Sequence, residues 1–70
     1  MNAIKSIVSG AVANIHVQPG DAVAVGDVIV TVESMKMEIP VEAEEAGVID
    51  AVLVTVGQPV NEDDDVATLR

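Results

Sequence analysis

The chain has no cysteine, tryptophan, tyrosine or phenylalanine among its 70 residues. Without cysteine there is neither a disulfide framework nor a thiolate metal site. One histidine, His16, is too few for a histidine-based zinc centre. Without aromatic rings the chain lacks the stacking platforms that bind single-stranded nucleic acid. Positive charge is equally scarce: three Lys and Arg stand against twelve Asp and Glu, for a formal charge of −9. Such a surface repels phosphate backbones and anionic lipid, which argues against nucleic acid and membrane partners. No apolar run reaches the ~18 residues of a membrane span. No charged segment followed by an apolar one opens the chain as a signal peptide would. The expectation is a soluble, cytoplasmic monomer. Ser6, Ser9 and Ser34 share one histidine and no oxyanion motif, and there is no phosphate loop, so the chain is not expected to be an enzyme.

What the chain does have is aliphatic. Half of it is hydrophobic, nearly all Val, Ile and Ala. A chain this short buries only about 60% of its unfolded surface, so residues 1–70 are expected to form one domain whose core is aliphatic packing alone. Val28, Val30 and Val32 alternate with Ile29, Thr31 and Glu33; Val52, Val54 and Val56 alternate with Leu53 and Thr55. Period two with β-branched residues predicts strands. Gly and Pro punctuation leaves no room for a helical period. The expected strands are 3–8, 11–17, 22–25, 28–33, 37–42, 48–55, 59–61 and 66–69. Pro40 within the fifth places it at a sheet edge or early in a strand.

The halves repeat. A shift of 37 residues brings Gly10 onto Gly47, Val12 onto Ile49, Ile15 onto Val52, Val17 onto Val54, Gly20 onto Gly57, Val23 onto Val60, Asp27 onto Asp64 and Val32 onto Leu69. The steps from Val12 to Ile15 and from Ile49 to Val52 each break strict alternation by one residue. That predicts a β-bulge at the same place twice. Neither half can bury its apolar face alone, so the two should close a single core as a pseudo-twofold all-β sandwich.

Close to the midpoint of the repeat stands Glu33-Ser34-Met35-Lys36-Met37-Glu38. Lys36 is one of three basic residues; the others, Lys5 and Arg70, are near the ends. The repeat places it on a hairpin joining the halves, at one end of the molecule. Met35 and Met37 offer soft contact area for a partner, with core filling as the alternative. His16, between Ile15 and Val17, should face solvent. Glu62-Asp63-Asp64-Asp65 reads as a solvated turn, because calcium loops alternate their ligands. Glu42, Glu44 and Glu45 read as an exposed turn before Gly47.

Met35-Lys36-Met37, Gly20-Asp21-x-Val23, Gly26-Asp27, Ala43-x-x-x-Gly47 and Gly57-x-x-Val60 together resemble the biotinyl/lipoyl carrier family over nearly the whole chain. Within it the likeness is to the small stand-alone biotin/lipoyl attachment proteins of bacteria. The resemblance implies a flattened β-barrel, or barrel-sandwich hybrid, of two four-stranded antiparallel sheets. It implies biotin covalently attached to Lys36 by biotin protein ligase. The arm would carry carboxyl groups between biotin carboxylase and carboxyltransferase components. Met35, Met37, Glu33 and Glu38 become candidate recognition residues. A lysine amine is protonated at neutral pH, so the ligase, not this domain, must supply the base. Lipoate is the alternative cofactor, as a lipoyl or dual attachment protein. Methionine on both sides of the lysine favours biotin, since lipoyl acceptors more often carry Asp and Ala there.

Three departures stand out. Nine residues separate Gly10 from Gly20, which leaves no room for the inserted thumb of bacterial acetyl-CoA carboxylase carriers. Val8-Ser9 replaces the Pro-Met or Ala-Pro common before the first glycine. Asp63 replaces a late-turn glycine. No Ala/Pro-rich linker is present, as expected of either a free-standing protein or an excised domain.

Overall fold

A computed structural model describes residues 2–70. It contains eight strands: β1 (Asn2–Lys5), β2 (Gly10–Ile15), β3 (Ala22–Val23), β4 (Val28–Ser34), β5 (Met37–Glu42), β6 (Gly47–Val52), β7 (Pro59–Val60) and β8 (Asp65–Leu69). There is no helix among the described residues. The strands form two four-stranded sheets, ordered β1-β8-β6-β3 and β5-β4-β2-β7. Every pairing is antiparallel. The expected all-β, two-sheet architecture is what the chain adopts. Pro40 lies on β5, an edge strand, where its missing N–H costs no ladder bond.

The 37-residue repeat extends to individual hydrogen bonds. Gly20 N donates to Ile49 O at 2.8 Å, and Gly57 N donates to Val12 O at 2.7 Å. Ser6 N donates to Asp64 O and Ala43 N to Asp27 O, both at 2.8 Å. Each half, however, is not a sheet of its own. β2 and β4 pair with β5 and β7, while β1 and β3 pair with β6 and β8. The halves interlock, and one core of Ile4, Val12, Ile29, Val30, Val32, Ile49, Val66 and Leu69, among others, lies between the sheets.

Both expected bulges are present. The β2–β4 register shifts between Val12 and Asn14, and the β6–β8 register shifts between Ile49 and Ala51. A second equivalent pair was not foreseen. Val28 faces Glu42 but Val30 faces Val41, which leaves Ile29 as the extra residue; Val66 is extra in the same way between Asp65 and Ala67. These bulges turn Ile29 and Val66 inward. Both are fully buried, so strict alternation along β4 fails at its start.

The sixth strand is also corrected. It ends at Val52, not near residue 55, and Val56 is 64% exposed. Leu53 N donates to Val66 O, after which the chain turns through Thr55 to Gln58. Only Val54 of that run keeps a buried side chain. The second strand ends two residues earlier than expected for the same reason: Val17, the counterpart of Val54, packs on the core from a loop.

Candidate functional site

β4 and β5 form a hairpin with a continuous register at its outer end: Val32 faces Ile39, Glu33 faces Glu38 and Ser34 faces Met37. Only Met35 and Lys36 remain for the loop. A two-residue hairpin loop must follow the right-handed twist of its strands, which favours a turn with positive φ at both central positions. Met35 and Lys36 have φ of 52° and 65°. Asn-Gly is the usual occupant. A side-chain-bearing residue in this region costs about 1–2 kcal/mol. The hairpin ladder holds the strain.

The outer end of the hairpin is also fixed by close approach. Gly10, in the neighbouring β2, lies so near β4 that an added Cβ would fall on the carbonyl oxygen of Glu33. No other residue fits without moving the strand that carries the turn.

The geometry leaves the lysine free. Lys5 pairs with Asp65 at 2.8 Å and Arg70 with Asp50 at 3.6 Å. The hydrogen bond from Lys5 to Asp65, with the carboxylate's charge, holds the Lys5 ammonium pKa above the usual lysine range. Among the described residues Lys36 has no such partner. Glu33 and Glu38 sit side by side below the turn and neither pairs with it. Met35 is 93% exposed and Met37 65%, which rules out core filling for both. The result is an amine at an apex, flanked by two thioethers, above two adjacent carboxylates. Such a group can be presented to another protein's cleft. The residues fit a covalently attached arm, which needs an accessible nucleophile and no enclosing pocket.

Other candidates fall elsewhere. His16 is exposed, as expected, but its Nε2 lies 2.8 Å from the buried Thr31 Oγ1. It therefore supplies the partner of a hydroxyl that would otherwise be orphaned. In the acidic turn, Asn61 N donates to Asp64 Oδ2 at 2.8 Å and Asp65 holds Lys5. No group of His, Cys, Asp and Glu among the described residues is placed to hold a metal ion. The structure places Lys36 on the hairpin between the halves, as the repeat implies, but the turn conformation was not legible in the sequence. Met-Lys carries no turn signature, and the expected strands 28–33 and 37–42 leave three residues between them where the structure leaves two.

The comparisons agree with this architecture. Residues 2–69 match the family described as "Biotin-requiring enzyme". The chain is 39% identical over 66 residues to a "Biotinylated protein TB7.3 homolog" from Mycobacterium leprae, covering 94% of this chain and 93% of that one. It is 39% identical over 56 residues to a "Biotin/lipoyl attachment protein" from Bacillus subtilis, covering 80% and 77%. Among solved structures, the Kluyveromyces lactis urea carboxylase superposes with a TM-score of 0.92 at 29% identity. That match covers 99% of this chain but 6% of the carboxylase. Eight strands in two interlocked sheets, the lysine at the turn and a family match over nearly the full length agree: the chain belongs to the biotinyl/lipoyl family of biotin-requiring proteins.

Proposed function

We propose that residues 1–70 act as a biotin carrier, biotinylated on Lys36 Nζ by a biotin protein ligase and serving a biotin-dependent carboxylase. The observation that carries the reading is the exposed amine, without an ion-pair partner among the described residues, at the apex of a two-residue turn between Met35 and Met37. Attachment is an acyl transfer. The amine attacks the carbonyl carbon of biotinyl-adenylate, an amide forms, the acyl–phosphate bond breaks and AMP leaves. The amine's proton passes to a base on the ligase. This chain contributes position: the hairpin holds Cα of Lys36 while the side chain reaches into the ligase cleft. Bound biotin supplies a carboxyl-carrying ring, and the arm would visit biotin carboxylase and carboxyltransferase sites in turn. Met35 and Met37 provide pliable apolar contact, and Glu33 and Glu38 form a paired negative landmark beneath the turn.

The test is intact mass after incubation with biotin protein ligase, ATP and biotin, with Lys36→Arg alongside. A gain of one biotin less one water, lost in Lys36→Arg, is the expected result. No gain would refute biotin, and the same assay with lipoate ligase would then test the attachment group that shares the name of the Bacillus subtilis relative. Met35→Asp with Met37→Ala is expected to slow labelling; an unchanged rate would remove both methionines from recognition.

A further inference from the structure

The repeat supplies its own control. Positions 37 residues apart share one backbone and one hydrogen-bond pattern. Where their exposed side chains differ, the fold does not demand the difference. At one flank, Asp63 N donates to Ser6 O at 2.8 Å, and the equivalent bond runs from Gly26 N to Ala43 O at 2.9 Å. Beside these bonds Ile7 is the counterpart of Glu44, and Val25 of Glu62. One half places acids at both positions and the other places aliphatics at both. Ile7 is 53% and Val25 68% exposed. The two are not scattered. With Pro40 and Ala43 they line one groove of about 420 Å³, and Glu42 and Glu44 line it too. The fold accepts Glu at these positions, so packing does not account for two adjacent exposed aliphatics in a chain of charge −9.

We propose that this groove docks a protein partner that presents an aliphatic side chain flanked by Lys or Arg. The apolar floor takes the aliphatic group. Glu42 and Glu44 face the cations, which fixes orientation and speeds encounter. A second copy of this chain is a poor occupant, because each body carries −9 and would repel the other. The groove lies at the inner end of the β4–β5 hairpin, where Val28 faces Glu42. From there β4 runs to Ser34, a span of about 20 Å at the usual rise per residue. A partner seated in the groove thus leaves the Lys36 turn uncovered. Docking here is independent of what Lys36 carries.

The test uses the ¹⁵N-labelled full chain and three peptides of equal length at about physiological salt: alternating Leu and Lys, Lys alone, and alternating Leu and Glu. The Leu–Lys peptide is expected to shift the amides of Ile7, Val25, Gly26, Ala43 and Glu44, and the other two peptides are not. Ile7→Glu with Val25→Glu installs the side chains that the other half already carries, and should weaken binding about tenfold or more. Should that variant lose its native spectrum, Glu42→Gln with Glu44→Gln leaves the apolar floor intact and should also weaken the Leu–Lys peptide. Shifts centred on residues 62–65 or on the hairpin tip, equal binding of the Lys-only peptide, no binding, or unchanged affinity in the folded variants would each overturn the proposal.

Discussion

Replacing Lys36 with glycine should make the protein more stable while abolishing its proposed attachment site. Lys36 is exposed, has no ion-pair partner among the described residues and sits at φ 65°. Truncation to alanine removes only a solvated side chain, so Lys36→Ala should change stability by less than about 0.5 kcal/mol. Glycine differs from alanine in two opposing ways. It relieves the left-handed clash, worth about 1–2 kcal/mol. It also adds freedom to the unfolded chain, which costs about 0.4–1 kcal/mol. The net expectation is that Lys36→Gly exceeds Lys36→Ala by about 0.5–1 kcal/mol. For a chain this small that is about 3–7 °C in Tm. The absence of aromatic residues removes fluorescence as a probe, so the assay is far-UV circular dichroism or calorimetry, with urea titration for ΔG. Glu44 is the control: it is exposed and not at positive φ, so there alanine should be the more stable of the two. Lys36→Gly at or below Lys36→Ala, in a background where Glu44 behaves as stated, would refute a strained turn. Confirmation would identify the hairpin tip as a place where display of the lysine is held against local preference.

Three further outcomes follow from the repeat and its exceptions. Asp63 has φ 72° where its counterpart Gly26 has 91°, so Asp63→Gly should raise stability by about 0.5–1 kcal/mol, read by thermal unfolding. Thr68 Oγ1 is buried without a partner, whereas its counterpart Thr31 is served by His16 and the position equivalent to His16 is Leu53. Thr68→Val should therefore stabilise by about 1 kcal/mol and Thr31→Val should not, a difference of sign that urea denaturation resolves. An added Cβ at Gly10 would meet backbone and sit 2.9 Å from Val32 Cγ1, while at Gly47 it would sit 3.4 Å from the flexible Leu69 Cδ1. Gly10→Ala should cost about 2 kcal/mol or more and Gly47→Ala less than about 1, and equal losses would contradict the close approach of β2 to β4.

The local pattern of the chain was sufficient for much of this molecule. Period-two runs of Val and Ile made strands, since branched side chains favour the pleated backbone. A 37-residue repeat made two equivalent halves, and the paired lapses in alternation at Val12 and Ile49 located two bulges. Met35-Lys36-Met37, midway along the repeat, marked the candidate site without reference to shape. Other features depended on contacts between segments far apart in sequence. Interlocking of the halves into mixed sheets follows from closing one core, which no single strand encodes. The bulges at Ile29 and Val66 arise from pairing with β5 and β1, and they bury residues that alternation alone would turn outward. The left-handed turn at Met35 and Lys36 is imposed by the twist of paired strands on a loop two residues long. His16 serves Thr31 because β2 lies beside β4. Exposure of Ile7 beside Val25 became meaningful only when folding brought them to one groove. Composition and periodicity act through neighbours in sequence, while turn strain, hydroxyl partners and surface patches are set by neighbours in space.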